Sequence, residues 1–236
     1  MIKHKHLLGF TFIITLTSLF AQNEVNSLDE NGKRHGVWQK NFPNTNQLRY
    51  KGQFNHGKEI DTFKYYKLNR KKSVLSAIKV FSINDDIADV TFMTSKGKVV
   101  SKGKMDGKNF IGKWVFYHNK TNGIMIEENY NNQGQLQGKR TVYFTNGNVA
   151  EISNYVLGQL EGVSKMYSES GKLLQQSQYK NDKLNGETIY YDSNQNIRAK
   201  GKFKDNLKTG IWLYYNNEIL TRKVNHDTDE VIYKKQ

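Results

Sequence analysis

The chain has no cysteine, and Pro43 is its one proline in 236 residues. Without cysteine there is no disulfide and no lipidated N-terminal cysteine, so a lipoprotein is excluded and stability must come from packing and hydrogen bonding. Acidic residues are also scarce: 22 Asp and Glu stand against 36 Lys and Arg, a formal net charge of +14. That balance favours anionic partners such as lipid headgroups, acidic glycans or nucleic acid. The lysines are spread along the chain rather than clustered, as on an ordinary solvated surface.

Long hydrophobic runs are missing too, apart from Leu7 to Phe20. That run is short for a membrane span, which needs about 20 residues. Lys3 and Lys5 precede it, and Ala21 offers a small residue at a cleavage point before Gln22. Residues 1–21 therefore read as a signal peptide rather than a retained anchor. The expected location is outside the cytoplasm: periplasmic, outer-surface or secreted. Removing Lys3 and Lys5 takes the charge from +14 to +12. No later stretch is long enough to cross a bilayer.

What the chain does contain is repetition. KDNLKTGIWLYY, Lys204 to Tyr215, nearly restates KNDKLNGETIYY, Lys180 to Tyr191. Aligned on the Gly before each aromatic run, Gly112, Gly138, Gly162, Gly186 and Gly210 are 26, 24, 24 and 24 residues apart. Gly36 belongs to the series, and Asp61 stands where the next Gly is due. A worn copy is expected near Ile87, in IADVTFMTSKGKVVSKGKM. Each unit has a Gly, an aromatic and β-branched run, a polar turn such as SESGK, and an alternating run such as IRAKGKF. In the last of these, Ile197, Ala199, Gly201 and Phe203 share one face and Arg198, Lys200 and Lys202 the other. Period-two alternation between Gly and Asn turns marks a β-hairpin. Helical periodicity is absent after residue 21.

The fold expected is all-β: an elongated antiparallel meander of about eight stacked hairpin repeats of 24–26 residues, since an isolated hairpin is marginal in water. Residues 22–30 read as a linker, 31–224 as the array, and 225–236 as a tail or capping strand. The repeat Gly is expected to adopt a backbone conformation closed to most residues, or to let strands approach closely. A recurring apolar residue before it (Ile60, Phe110, Leu136, Leu160, Leu184, Leu207) reads as a peg capping the core at the sheet margin.

The stretches NGKRHGVWQKNF, NFIGKWVFYHNKTNG and NDKLNGETIYYDSN resemble the bacterial variant of the MORN repeat, and the resemblance covers nearly all of the chain after residue 30. It implies hairpins stacked into one elongated sheet, and its structural Gly and aromatic positions carry over without any catalytic residue. Bacterial members are often labelled antitoxins, which fits poorly with an exported chain, because a cytoplasmic toxin needs its antidote beside it. Eukaryotic MORN arrays resemble scaffolds for membranes and protein partners.

Catalytic signatures are missing. His35, His56, His118 and His226 show no metal-ligand spacing, and Asp85, Asp86 and Asp89 lack the ligand pattern of a calcium loop. No nucleophile elbow or phosphate-binding loop occurs; no enzyme activity, metal or cofactor is expected. Two surfaces are candidates for binding. One is a tyrosine column at the fifth position after each Gly: Tyr66, Tyr117, Tyr143, Tyr167, Tyr191 and Tyr215. The other is the basic run Arg198, Lys200 and Lys202, matched at the far end by Arg49, Lys51, Lys102 and Lys104. Between these ends the equivalent positions are neutral or acidic (Glu127, Asn129, Ile152, Asn154, Gln176, Gln178), so no sequence-specific nucleic-acid track is expected. The function expected is a non-enzymatic exported scaffold binding a protein or an anionic envelope or glycan component; a carbohydrate-binding module using the tyrosines is the alternative. Trp212 and Tyr214 are expected on the more open side of the sheet, with Tyr191 and Tyr215 packed inside.

Overall fold

A computed structural model describes residues 25–82 and 84–235; the segment read as a signal peptide lies outside them. The described residues contain no helix and nineteen strands. Following the chain these are β1 (Ser27–Leu28), β2 (Arg34–Asn41), β3 (Leu48–Asn55), β4 (Lys58–Asn69), β5 (Lys72–Phe81), β6 (Ile87–Met93) and β7 (Val99–Asp106). Next come β8 (Asn109–Tyr117), β9 (Ile124–Tyr130), β10 (Gly138–Tyr143), β11 (Val149–Val156), β12 (Gln159–Leu160) and β13 (Gly162–Tyr167). The array ends with β14 (Leu173–Lys180), β15 (Lys183–Tyr191), β16 (Ile197–Lys204), β17 (Leu207–Asn216), β18 (Ile219–Asn225) and β19 (Glu230–Lys234).

Strands pair antiparallel in chain order, forming one open meander; β12 and β13 share the role of a single strand beside β11, broken at Glu161. Eight hairpins result, from β2–β3 to β17–β18, with β1 pairing β2 at one end and β19 pairing β18 at the other.

Two turn chemistries set this path. Inside most hairpins a polar turn ends on a left-handed residue, as in TNGN, where Gly147 N–H donates to Phe144 O at 3.0 Å. Between most hairpins a two-residue turn has both residues at positive φ, for example Asn181 and Asp182 (49° and 66°) or Asp205 and Asn206 (49° and 73°). Such turns match the right-handed twist of the flanking strands and select Asn, Asp and Gly.

The repeat Gly positions are left-handed as well, from Gly36 (φ 72°) to Gly210 (φ 60°). Asp61 holds the same conformation at φ 56°, so the backbone demand survives the loss of Gly, and Asp, with its short polar side chain, meets it. The worn copy meets it differently. Five residues join Phe81 to Ile87, and β5 pairs β6 without a break in register.

Successive units are also tied along the margin. Leu160 N–H donates to Asp182 Oδ1 at 2.8 Å while Asp182 N–H donates to Leu160 O at 3.1 Å. Leu184 and Asn206 repeat that exchange at 2.8 and 3.0 Å. Leu136, Leu160 and Leu184 are accordingly half-buried. Leu207 departs from the peg reading. It is 73% exposed; here the next connection is the longer turn of residues 226–229, whose Asp227 engages Gly210 and Thr209 rather than Leu207.

The core lies on one face. Trp114, Trp212 and Phe63 are fully buried. Each ring lies over a glycine of the preceding strand: a Cβ on Gly103 would stand 2.5 Å from Trp114, one on Gly201 2.3 Å from Trp212, and one on Gly52 2.3 Å from Phe63. Trp114 Nε1 donates to Lys104 O at 2.8 Å and Trp212 Nε1 to Lys202 O at 3.1 Å, so both indoles are satisfied where they lie. Phe110 stacks on Trp114 with centroids 3.7 Å apart, and Phe203, Tyr190, Tyr214 and His226 surround Trp212.

The expected assignment of faces is therefore reversed: Trp212 is core, and Tyr191 and Tyr215 are half-buried on the other side. Strand parity separates Trp212 and Tyr214 from Tyr215 as expected; the buried face is the one on which Gly201 leaves room for the indole. The register shifts at Tyr190/Tyr191 and Tyr214/Tyr215 put the extra residues, Arg198 and Thr221, in the partner strands β16 and β18, so alternation within β15 and β17 is kept.

Trp212→Ala should destabilise the protein by about 3–5 kcal/mol, and Tyr191→Ala by clearly less. Gly201→Ala should also destabilise, by about 1–3 kcal/mol, because it overpacks against the indole. Asp61→Gly should stabilise by up to about 1 kcal/mol, since it relieves a left-handed side chain. Denaturant melts of the four variants check this ordering.

Candidate functional site

The face opposite the tryptophans carries the tyrosine column. Tyr66, Tyr117, Tyr143, Tyr167, Tyr191 and Tyr215 are all half-buried, so each ring is partly available. They sit on alternate strands of the meander, which spaces neighbours in an unbroken series roughly 9.6 Å apart. At the worn copy Met93 takes the place of a tyrosine.

The basic residues share this face. On β16, Lys200 lies opposite Ile189 of β15 and Leu213 of β17, two residues before Tyr191 and Tyr215 respectively. Lys202, opposite Glu187, has the same strand parity and is exposed, whereas Arg198, also exposed, is the extra residue of the β16 bulge between the partners of Tyr191 and Tyr190. None of the three forms an ion pair among the described residues. The two candidate surfaces inferred separately from sequence are thus one surface.

One concavity lies over β6–β8. Thr91, Lys98, Val99, Lys102, Tyr117 and Asn122 line a depression of about 550 Å³. Lys102 Nζ stands 5.8 Å from the centroid of the Tyr117 ring. Lys98 Nζ donates to Asn119 O at 2.7 Å and Thr121 O at 2.5 Å, which pins the loop forming one wall. An adjoining depression of about 360 Å³ shares Thr91 and Lys102 and extends to Lys104 and Lys113. A third, of about 750 Å³, joins Tyr66 to Lys51 and Lys64 at the N-terminal end.

Tyr143 is occupied differently. Its hydroxyl donates to Glu127 Oε2 at 2.8 Å, and Lys113 Nζ lies 2.6 Å from Glu127 Oε1. The hydrogen bond from Lys113, then that from Tyr143, holds the Glu127 carboxyl below its ordinary value of 4.5. Burial, followed by the Glu127 bond, raises the Tyr143 phenol. The middle of the column is therefore self-paired, while Tyr117 keeps a cation without a carboxylate.

The remaining polar groups form no site of their own. Asp86 pairs Lys58 at 3.2 Å, Asp89 pairs Lys104 at 3.7 Å, and Asp85 Oδ1 accepts the Ile87 N–H at 3.1 Å, so the three carboxylates turn to separate partners. Among the described residues no group of three His, Cys, Asp or Glu could hold a metal ion. His56 Nδ1 lies 2.7 Å from Asp29 Oδ2 and its ring lies against His35, where the turn between β3 and β4 meets β2 and the segment before it.

Sequence reasoning missed the polar centre of the tryptophan face. Glu128 is buried there, with Arg140 Nε 2.9 Å from one carboxylate oxygen and the Tyr130 hydroxyl donating to the other at 2.5 Å. A readable signal was present. Eleven residues separate Gly52 from Phe63, Gly103 from Trp114 and Gly201 from Trp212, whereas the central units place Ser153 before Ser164 and Ser177 before Thr188 at the same interval.

Compared with known families, residues 136–156 and 160–181 match the MORN repeat variant. The two matched segments cover β10–β11 and β12–β14. No curated protein matches the chain.

The Glu127 shift has a definite sign. A depressed carboxyl contributes stability that is present above its unfolded value and lost as pH falls through the folded value. Acidification below about 4.5 should therefore erode stability. Glu127→Gln should flatten that part of the profile, and Lys113→Met should move the Glu127 titration upward, as read by NMR titration and pH-dependent melts.

Proposed function

We propose that this MORN-variant repeat protein is a non-enzymatic, exported scaffold that holds an anionic component of the cell envelope on its tyrosine face. One observation carries the reading: the tyrosines and the cations Lys102, Lys200 and Lys202, which form no ion pair among the described residues, share the face that does not contain the core. A sheet that buries its tryptophans on one side can spend the other on a partner without losing stability. The net charge of +12 left after removal of Lys3 and Lys5 supplies attraction of the right sign. Export rests on Lys3, Lys5, the Leu7 to Phe20 run and Ala21, which together have the form of a cleaved signal.

The purified native protein should begin near Gln22 and come from a non-cytoplasmic fraction. It should co-sediment with isolated envelope in a salt-sensitive manner. Arg198→Glu, Lys200→Glu and Lys202→Glu combined should abolish co-sedimentation while leaving the tryptophan-face melt intact. A soluble cytoplasmic protein retaining Met1, or co-sedimentation unchanged in the triple variant, would overturn the reading.

A further inference from the structure

The same pair of side chains recurs on the tyrosine face. Lys51 and Tyr66, Lys102 and Tyr117, and Lys200 and Tyr215 are each 15 residues apart. In each case the lysine immediately precedes the glycine that lies under a buried aromatic ring of the other face. The first two pairs line depressions of about 750 and 550 Å³. The third is set by the pairing of Lys200 with Leu213, two residues before Tyr215. The equivalent partners of Tyr167 and Tyr191 are Ile152 and Gln176, so the central tyrosines lack the cation.

We infer that these three lysine–tyrosine pairs are subsites for an acidic polysaccharide lying across the strands. This deepens the proposed envelope-binding function and rests on it. A partly exposed phenol ring offers an apolar plate for the flat face of a sugar, and the adjacent ammonium offers a counter-charge for its carboxylate, sulfate or phosphate. The first two lysines are four strand steps apart, roughly 19 Å, and the second and third eight steps, roughly 38 Å. A polymer reaches across such intervals and a single headgroup does not. Nucleic acid fits less well, because Asp89, Glu127 and Glu187 interrupt the basic positions on this face. A lipid surface fits less well because the tyrosines are sunk among neighbours rather than protruding.

The full-length protein would be titrated by calorimetry with a panel of carboxylated, sulfated and phosphorylated polysaccharides, their short oligomers, a neutral glucan, and phosphatidylglycerol vesicles. At least one acidic polymer should bind saturably, more tightly than its own short oligomers. Lys51→Gln, Lys102→Gln and Lys200→Gln combined should weaken it roughly 100-fold through lost avidity. The charge-matched set Lys96→Gln, Lys108→Gln and Lys234→Gln should leave it within a fewfold. Tyr117→Leu should weaken binding and Tyr117→Phe preserve it, with unchanged Trp212 burial reporting the fold. Equal losses from both lysine sets, or no saturable binding to any acidic glycan, would overturn the inference. Binding to vesicles alone would overturn it too while leaving the envelope scaffold standing; failure of envelope co-sedimentation would remove both.

Discussion

A single sheet has no second layer to cover its aromatic residues, so it must bury them against its own backbone. Here an indole or phenyl ring lies flat on a glycine of the preceding strand, where any Cβ would collide with it. The space that makes this possible is one missing side chain wide. Neighbouring rows then close the ring from the sides: Phe203, Tyr190 and Tyr214 around Trp212, with Lys208 Nζ 4.2 Å above the indole. A lysine stem used as a cover keeps its charge in water while its methylenes shield the ring. Loss of the glycine therefore threatens burial as directly as loss of the tryptophan.

The central units solve the same problem without a large ring. Ser164, Ser177 and Thr188 occupy adjacent rungs, with Thr188 Oγ1 3.1 Å from Ser177 Oγ and Gln175 Nε2 donating to that hydroxyl at 2.8 Å. Ser153 Oγ is buried without a partner among the described residues. Small hydroxyl side chains need little cover, and burying them costs little when they bond to one another. Glu128 and Arg140 form the transition between the Trp114 end and this polar stretch. Removing either would strand a buried charge, which costs far more than the pair itself contributes.

Much of this architecture was legible because turn chemistry and period are local. The 24–26-residue step located eight hairpins, and even Asp61 in place of Gly and the copy near Ile87 fell into register. The faces were not legible. Both carry aromatic residues, two of them adjacent at Phe116/Tyr117, Tyr190/Tyr191 and Tyr214/Tyr215, so alternation assigns each to a face without ranking the faces. What separates Trp212 from Tyr215 is a glycine 11 residues earlier, a pairing that follows from strand register and not from either residue's own properties. Leu207 misled for a related reason: its local context matches Leu184, but what buries Leu184 is the next unit's turn, and the turn following Leu207 is of a different kind.

The Lys-Gly dipeptides at Lys51, Lys102 and Lys200 connect the two faces. Strand geometry sends consecutive residues to opposite sides, so a glycine fixed beneath a core ring places its preceding lysine on the open face at a set height. The tyrosine that accompanies the lysine is likewise three residues beyond the buried Phe63, Trp114 or Trp212. Units that bury a large ring consequently present a lysine–tyrosine pair, and units that bury serine or threonine present Ile152 or Gln176 beside their tyrosine. The spacing of cations on the open face is thus inherited from the placement of the core. A substitution that moved the buried ring by one unit would have to move the surface pair with it.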